Sequence, residues 1–175
     1  SAPGFHKREK WQHLTGWDYA HRGLHDNEHG IPENSMAAFQ RAVDKGYGIE
    51  LDVHLTADNQ LVVFHDDTLT RMCGINKKIS GFLYSYLQQL RLLGTGEGIP
   101  LFKDVLALVD GKVPLIIELK VDGSNQNLLC PLVWQLLSGY KGSYCIESFH
   151  PFVLQWFKRH QPQVVRGQLS CNFFK

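Results

Sequence analysis

Glu50-Leu51-Asp52 sets two carboxylates two residues apart inside the apolar run Gly48–Leu55. In a strand both point to one face, while Ile49, Leu51 and Val53 point to the other. Two carboxylates on one face of a buried strand repel each other and are kept only with a cation or a shared proton. Oxygen-only donors suit a hard divalent ion, Mg²⁺ or Ca²⁺. The other reading is the solvated face of an edge strand. A further acid lies in Pro114-Leu115-Ile116-Ile117-Glu118-Leu119-Lys120, where Glu118 and Lys120 share a face at the carboxyl end of a run too apolar for an edge. Lys120 either pairs with Glu118 or faces an anion beside the cation.

Two other runs end in histidine. Asp18-Tyr19-Ala20-His21-Arg22-Gly23 closes one, and Leu61-Val62-Val63-Phe64-His65-Asp66-Asp67 closes the other. A parallel α/β sheet binds its ligand outside the carboxyl ends of its strands, so these histidines and the acids fall at one place. Histidine exchanges a proton near neutral pH, and the Arg22 fork fits phosphate oxygens. His54 shares the face of Glu50 and Asp52 but lies further out, in a supporting position. The remaining histidines, His6, His13, His25, His29, His150 and His160, are given no role. Together these groups support hydrolysis of a phosphate ester. The cation neutralises the nonbridging oxygens, one histidine deprotonates the nucleophile, and the other protonates the leaving oxygen.

Such a site needs a frame of alternating strands and helices. The strand-like runs are Trp17–Ala20, Gly48–Leu55, Leu61–His65, Leu115–Leu119, Tyr144–Ile146 and Val164–Leu169, rich in Val, Ile and aromatic residues. Helical patterns separate them. Asn34-Ser35 caps Met36, Phe39 and Val43, and Gly46 ends that helix. Leu101 to Gly111, Asn127 to Leu137 and Pro151 to His160 are the others. The crossover from Asp66 to Val113 is long and glycine-rich, and reads as loop with a short helix over Tyr84–Arg91 ahead of the Leu101 helix. This alternation predicts βαβ units and a parallel sheet.

Composition narrows the classes. Lys and Arg number 18 against 17 Asp and Glu, a formal charge of +1, which argues against a nucleic-acid partner. No apolar run approaches the ~18 residues of a membrane span. Membrane contact is therefore expected only through a segment upstream of Ser1. Cys73, Cys130, Cys145 and Cys171 form no C-x-x-C and read as small buried hydrophobes. Oligomeric state leaves no signal in the sequence.

The motifs His21–Gly23 (H-R-G), Pro32–Ser35 (P-E-N-S), Glu50–Val53 (E-L-D-V), Val62–Asp66 (V-V-F-H-D) and Glu118–Lys120 (E-L-K), in this order and spacing, resemble the glycerophosphodiester phosphodiesterases, and Ser148-Phe149 is similar too. The resemblance covers about residues 17–170. It implies an α/β fold of the TIM-type (β/α)₈ barrel kind. It also implies hydrolysis of deacylated phospholipids to sn-glycerol 3-phosphate and an alcohol, with one divalent cation, Mg²⁺ or Ca²⁺. By motif, Glu50, Asp52 and Glu118 would be metal ligands, and His21 and His65 the general acid/base pair. Arg22 would hold the phosphate with Lys120 close by, and Glu33 and Asn34 would shape the site or its first helix. The segment Thr68–Ile99 is similar to versions without a large added subdomain. The implied location is cytoplasmic or membrane-associated. Two other readings compete: a phospholipase-D-like hydrolase of lysolipids or sphingolipids, and a non-catalytic barrel that binds glycerophosphodiesters.

A barrel of eight β/α units takes about 250 residues, and this chain has 175. Residues 1–15 read as an N-terminal arm and residues 16–175 as the barrel domain. About six of eight strands are expected, with about two β/α units missing at the C-terminus.

Overall fold

The computed structural model describes residues 10–167. Five parallel strands form the sheet: β1 (Tyr19–His21), β2 (Gly48–Leu55), β6 (Leu115–Leu119), β7 (Tyr144–Glu147) and β8 (Arg166–Gly167), hydrogen-bonded in that order. The register aligns His21 with Glu50, Glu50 with Ile116, and Ile116 with Cys145. One pleat onward it aligns Asp52, Glu118 and Glu147.

The helices that connect the staves pack on one face. They are α1 (Met36–Lys45), α4 (Phe102–Val109), α5 (Gln126–Leu137) and α6 (Pro151–His160). Phe39, Phe102, Val105, Leu129, Val133 and Phe157 bury against Ile49, Leu51, Val53, Leu115, Ile117 and Ile146. Each strand thus sends its odd-numbered or its even-numbered residues outward as one apolar set, and the other set faces inward. Helices on one face only, over a parallel sheet, are the construction of a TIM-type barrel rather than of a doubly wound sheet. Among the described residues β1 and β8 are the two ends of the parallel array.

Local signals set the first helix as expected. Ser35 accepts from the Ala38 amide at 3.1 Å. Gly46, at φ 75°, closes the helix by donating to Ala42 and Val43. The inner face is layered. The acids occupy its carboxyl side, and below them Ile116 and Cys145 pack with Leu14 and Val165. Leu14 is fully buried, and residues 10–12 are helical. Residues 1–9 of the expected arm lie outside the described residues, as do Gln168 and Leu169 of the last expected strand.

Two expectations are corrected. The run Leu61–His65 contributes β3 (Leu61–Val63), which pairs antiparallel with β2, with Val53 opposite Val63 and Leu55 opposite Leu61. It is the return arm of a hairpin and not a barrel stave. Thr56 Oγ1 accepts from the Gln60 amide at 2.9 Å, and Asn59 takes a left-handed φ of 59° to close the turn.

The segment after it is more than a loop. β4 (Thr68–Leu69), α2 (Thr70–Cys73), β5 (Ile75–Lys78) and α3 (Tyr84–Leu87) fold over a separate small core of Val62, Phe64, Leu69, Met72, Ile79, Leu87, Leu92 and Ile99. The helix expected over Tyr84–Arg91 stops at Leu87, because the chain must turn to bury Leu92. Among the described residues no helix is long and apolar enough to cross a membrane.

Candidate functional site

The hairpin explains how His65 reaches the acids. Its return arm runs back along β2, and the Phe64 amide donates to the Asp52 carbonyl at 3.0 Å. His65 therefore sits at the level of Asp52, although the tip of β2 is three residues further on. Buried His54 fixes that approach, with its Nε2 3.1 Å from the His65 carbonyl. Burial pushes the His54 imidazole below its ordinary value, so it is neutral and its Nε2–H donates.

The acids meet on neighbouring strands. Asp52 and Glu118 are in register, both buried, and their carboxyls hydrogen-bond to each other. Burial, then the Glu118 carboxyl beside it, pushes Asp52 well above the usual carboxylate range. Burial also opposes ionisation of Glu118, but Asp52 and Lys120 outweigh it and hold Glu118 below its ordinary value. The Lys120 ammonium lies 2.9 Å from Glu118 Oε2 and 3.8 Å from Asp52 Oδ1. The same Nζ stands 5.8 Å above the ring of Phe149, which is exposed. Lys120 thus pairs with Glu118 and also supplies positive charge to Asp52.

His21, at the end of β1, is half exposed and places Nε2 4.0 Å from Glu50 Oε1. Arg22 follows at a left-handed φ of 58°, with its amide donating to the Glu50 carbonyl at 2.7 Å. Its Nη1 donates to Glu33 at 3.0 Å, while its buried Nε has no hydrogen-bond partner among the described residues. Asn34 donates from Nδ2 to Asp52 Oδ2 at 3.2 Å, and its own Oδ1 is buried without a partner.

Of the expected residues, Asp52, Glu118 and Lys120 touch, His21 adjoins Glu50, and His65 comes to the Asp52 level. Among the described residues no three histidine, cysteine or carboxylate side chains are gathered closely enough to hold an ion by themselves. The donor chemistry nonetheless fits a hard cation. It offers buried carboxylates, one of which burial and its carboxyl neighbour push well above the usual range, beside an unpartnered amide oxygen.

Three residues escape the motif reading, and a fourth, Asp66, lies in a motif but is given no role by it. Asp66 takes His65 Nδ1 at 2.7 Å. Arg71 of α2 grips both Asp66 and Glu33. Asn27 donates to Glu33 at 2.9 Å. Glu147, buried and in register with Glu118, ends a strand whose sequence run reads as stopping at Ile146. An acid following an apolar run, as at Glu118, is the signal that finds Glu147.

Fold and site together describe an α/β-barrel protein with an acid-rich mouth. Residues 21–172 match the Glycerophosphoryl diester phosphodiesterase family, and the chain belongs to that family. It is 40% identical over 163 residues to a glycerophosphodiester phosphodiesterase of Caldanaerobacter subterraneus, covering 86% of this chain and 65% of the relative. It is 37% identical over 149 residues to the lysophospholipase D of Rattus norvegicus, covering 78% of this chain and 45% of the relative. The chain thus spans less than half the length of that relative.

Two solved structures share the fold. One is an Oleispira antarctica phosphodiesterase in complex with the product sn-glycerol 3-phosphate, with TM-score 0.81 and 25% identity, covering 91% of this chain and 67% of that one. The other is a Parabacteroides distasonis glycerophosphodiester phosphodiesterase, with TM-score 0.74 and 32% identity, covering 86% and 63%.

Proposed function

We propose that the protein carrying this chain hydrolyses glycerophosphodiesters to sn-glycerol 3-phosphate and an alcohol. The observation that carries this is the register-matched Asp52–Glu118 pair with Lys120 against it, at the carboxyl ends of adjacent parallel strands. Glu50, Asp52 and Glu118 are the residues that would hold one divalent cation, Mg²⁺ or Ca²⁺. When bound, the ion neutralises charge on the phosphate oxygens.

The chain's own residues do the rest. Arg22 directs its unused N–H, and Lys120 its ammonium, at the anion. His65 gives its Nδ1 proton to a hydrogen bond with Asp66, which leaves Nε2 to take a proton from the attacking oxygen. His21, half exposed and beside Glu50, returns a proton to the leaving alcohol oxygen. Water adds across the P–O bond, and no other reactant is needed.

The test is incubation of the full-length protein with glycerophosphocholine in Mg²⁺, Ca²⁺ or EDTA. Glycerol 3-phosphate should be released with either ion, not in EDTA, and His21→Ala or His65→Ala should lose turnover while remaining folded. Release unaffected by EDTA and by both substitutions rejects the mechanism. No release by a folded, cation-loaded protein points to a binding barrel.

A second reading is lysolipid hydrolysis of the phospholipase D kind. The lysophospholipase D relative supports it, as does exposed Phe149 beside Lys120, an apolar surface for an acyl chain. Faster release from lysophosphatidylcholine than from glycerophosphocholine would favour it.

A further inference from the structure

Arg71 lies outside every motif that points to this site, on a helix of four residues in the segment folded over the barrel mouth. Its guanidinium is used on both edges. Nε and Nη2 donate to the two oxygens of Asp66, each at 3.0 Å. Nη1 and Nη2 donate to the two oxygens of Glu33 at 2.7 and 2.9 Å. Each carboxylate then passes the constraint on. Asp66 Oδ1 takes His65 Nδ1 at 2.7 Å, and Glu33 Oε2 takes Arg22 Nη1 at 3.0 Å.

Glu33 is buried, so its charge is tolerable only with these donors around it. Two forks in one plane need the five N–H groups of a guanidinium. An ammonium offers three donors and no fork.

We propose that Arg71 is a positioning residue of this site, which holds the proton-bearing nitrogen of His65 through Asp66 and the guanidinium of Arg22 through Glu33. It touches no reacting atom. The assignment rests on the hydrolytic reading for its effect on turnover, but the geometry has a readout of its own. A carboxylate fixed on Nδ1 selects the Nδ1–H tautomer and leaves Nε2 as the free base. A histidine without that partner prefers the other tautomer in water. The folded segment on the barrel mouth thereby becomes part of the active arrangement. It carries a side chain that links the turn after β1, through Glu33, to the end of the β3 arm, through Asp66.

The experiment uses the full-length protein with ¹⁵N-labelled histidine and the variants Arg71→Gln, Arg71→Lys, Asp66→Asn and Glu33→Gln. Lys78→Ala serves as a control that removes one of the segment's other attachments, the ion pair with Asp122. With glycerophosphocholine, Arg71→Gln should lower kcat about 10- to 100-fold and raise KM, the size expected for groups that orient direct contacts. Asp66→Asn should reproduce mainly the kcat loss and Glu33→Gln mainly the KM rise. Arg71→Lys should fall between wild type and Arg71→Gln.

In nitrogen spectra at a pH where the imidazole is neutral, His65 should be the Nδ1–H form in wild type and shift toward Nε2–H in Arg71→Gln and Asp66→Asn. Should Arg71→Gln fail to fold, Asp66→Asn keeps the Arg71–Glu33 pair and makes the same test. An active protein whose Arg71→Gln variant keeps wild-type kcat and KM overturns the assignment. So does a His65 that is not Nδ1–H in wild type, or an equal shift in Lys78→Ala. A wild type that releases no glycerol 3-phosphate, yet whose His65 tautomer follows Arg71, refutes the hydrolytic reading and leaves the positioning intact.

Discussion

Asn34 donates its side-chain amide to Asp52 across 18 residues of sequence, and it does so from a left-handed backbone of φ 53°. Its own amide donates to the Arg22 carbonyl at 2.9 Å. One residue therefore joins the turn after β1 to the acid on β2, and asparagine is the side chain best suited to both tasks. Asn34→Gly keeps the backbone and loses the bond to the Asp52 carboxyl, which should cost about 1 kcal/mol. Asn34→Ala adds left-handed strain of about 1 kcal/mol. Urea midpoints should rank wild type above Asn34→Gly above Asn34→Ala. Equal midpoints for the two variants would remove the backbone argument.

Lys120 compensates Asp52 and Glu118 as the chain stands. Lys120→Met leaves two buried acids without that charge, and breaking a largely buried pair costs about 3 kcal/mol. Unfolding in EDTA should therefore start at a lower temperature in Lys120→Met than in wild type. A divalent cation at a hundredfold excess over its Kd returns about 2.7 kcal/mol to a folded state that binds it. The melting temperature of the variant should climb on adding Mg²⁺ or Ca²⁺, and Asp52→Asn should abolish that climb. A variant melting at the same temperature with and without cation means that these carboxylates take none.

Much of this arrangement is legible in the sequence because it is local. Ser35 and Gly46 bracket α1 as their capping roles require. The alternation Ile49, Leu51, Val53 against Glu50, Asp52 sorts the two faces of β2 without any tertiary knowledge. The direction of β3 is not written in its own residues, since Leu-Val-Val suits either pairing. The five residues from Thr56 to Gln60 do decide it, because a parallel crossover needs a dozen or more and a hairpin needs few. The Arg71 network is illegible for the opposite reason. Glu33 and Arg71 meet only because the mouth segment folds back, and no local period records a contact over that distance.

Acid should unfold the protein through Glu33 and Asp66. Burial opposes ionisation of Glu33, but the Arg71 and Asn27 hydrogen bonds and the charges of Arg22 and Arg71 outweigh it and hold the carboxyl at about 2, against an ordinary 4.5. The Arg71 fork, with help from His65, holds Asp66 at about 2 against 3.8. Both folded values lie below the unfolded ones, so the stability they contribute is complete above about 4.5 and is lost as the pH falls from there toward 2. For Glu33 the contribution is on the order of 3 kcal/mol. Urea midpoints measured from pH 6 to pH 2.5 should fall steeply in wild type. Glu33→Gln should be less stable at pH 6 and show a flatter fall. A variant with the wild-type slope would place the acid sensitivity elsewhere.

Gly23 sets how closely the β1 turn approaches α1. Its φ is 79°, and a Cβ there would stand 2.9 Å from Ala38 Cβ, 3.0 Å from the Ala38 carbonyl carbon and 3.1 Å from Phe39 Cδ1. None of these atoms is the loose end of a long side chain, and Ala38 and Phe39 are fully buried, so the turn itself must move. Gly23→Ala should cost roughly 2–4 kcal/mol, combining left-handed strain with overpacking. Gly30 has the same backbone sign, φ 82°, with nothing within 4 Å of its would-be Cβ, so Gly30→Ala should carry the strain alone, about 1 kcal/mol. The difference between the two isolates the steric part. Because the turn that must move carries His21 and Arg22, Gly23→Ala should also lose turnover out of proportion to its residual folded fraction, and Gly30→Ala should not. Equal melting temperatures for the two variants would mean that the β1 turn yields freely, and that α1 does not set the position of His21.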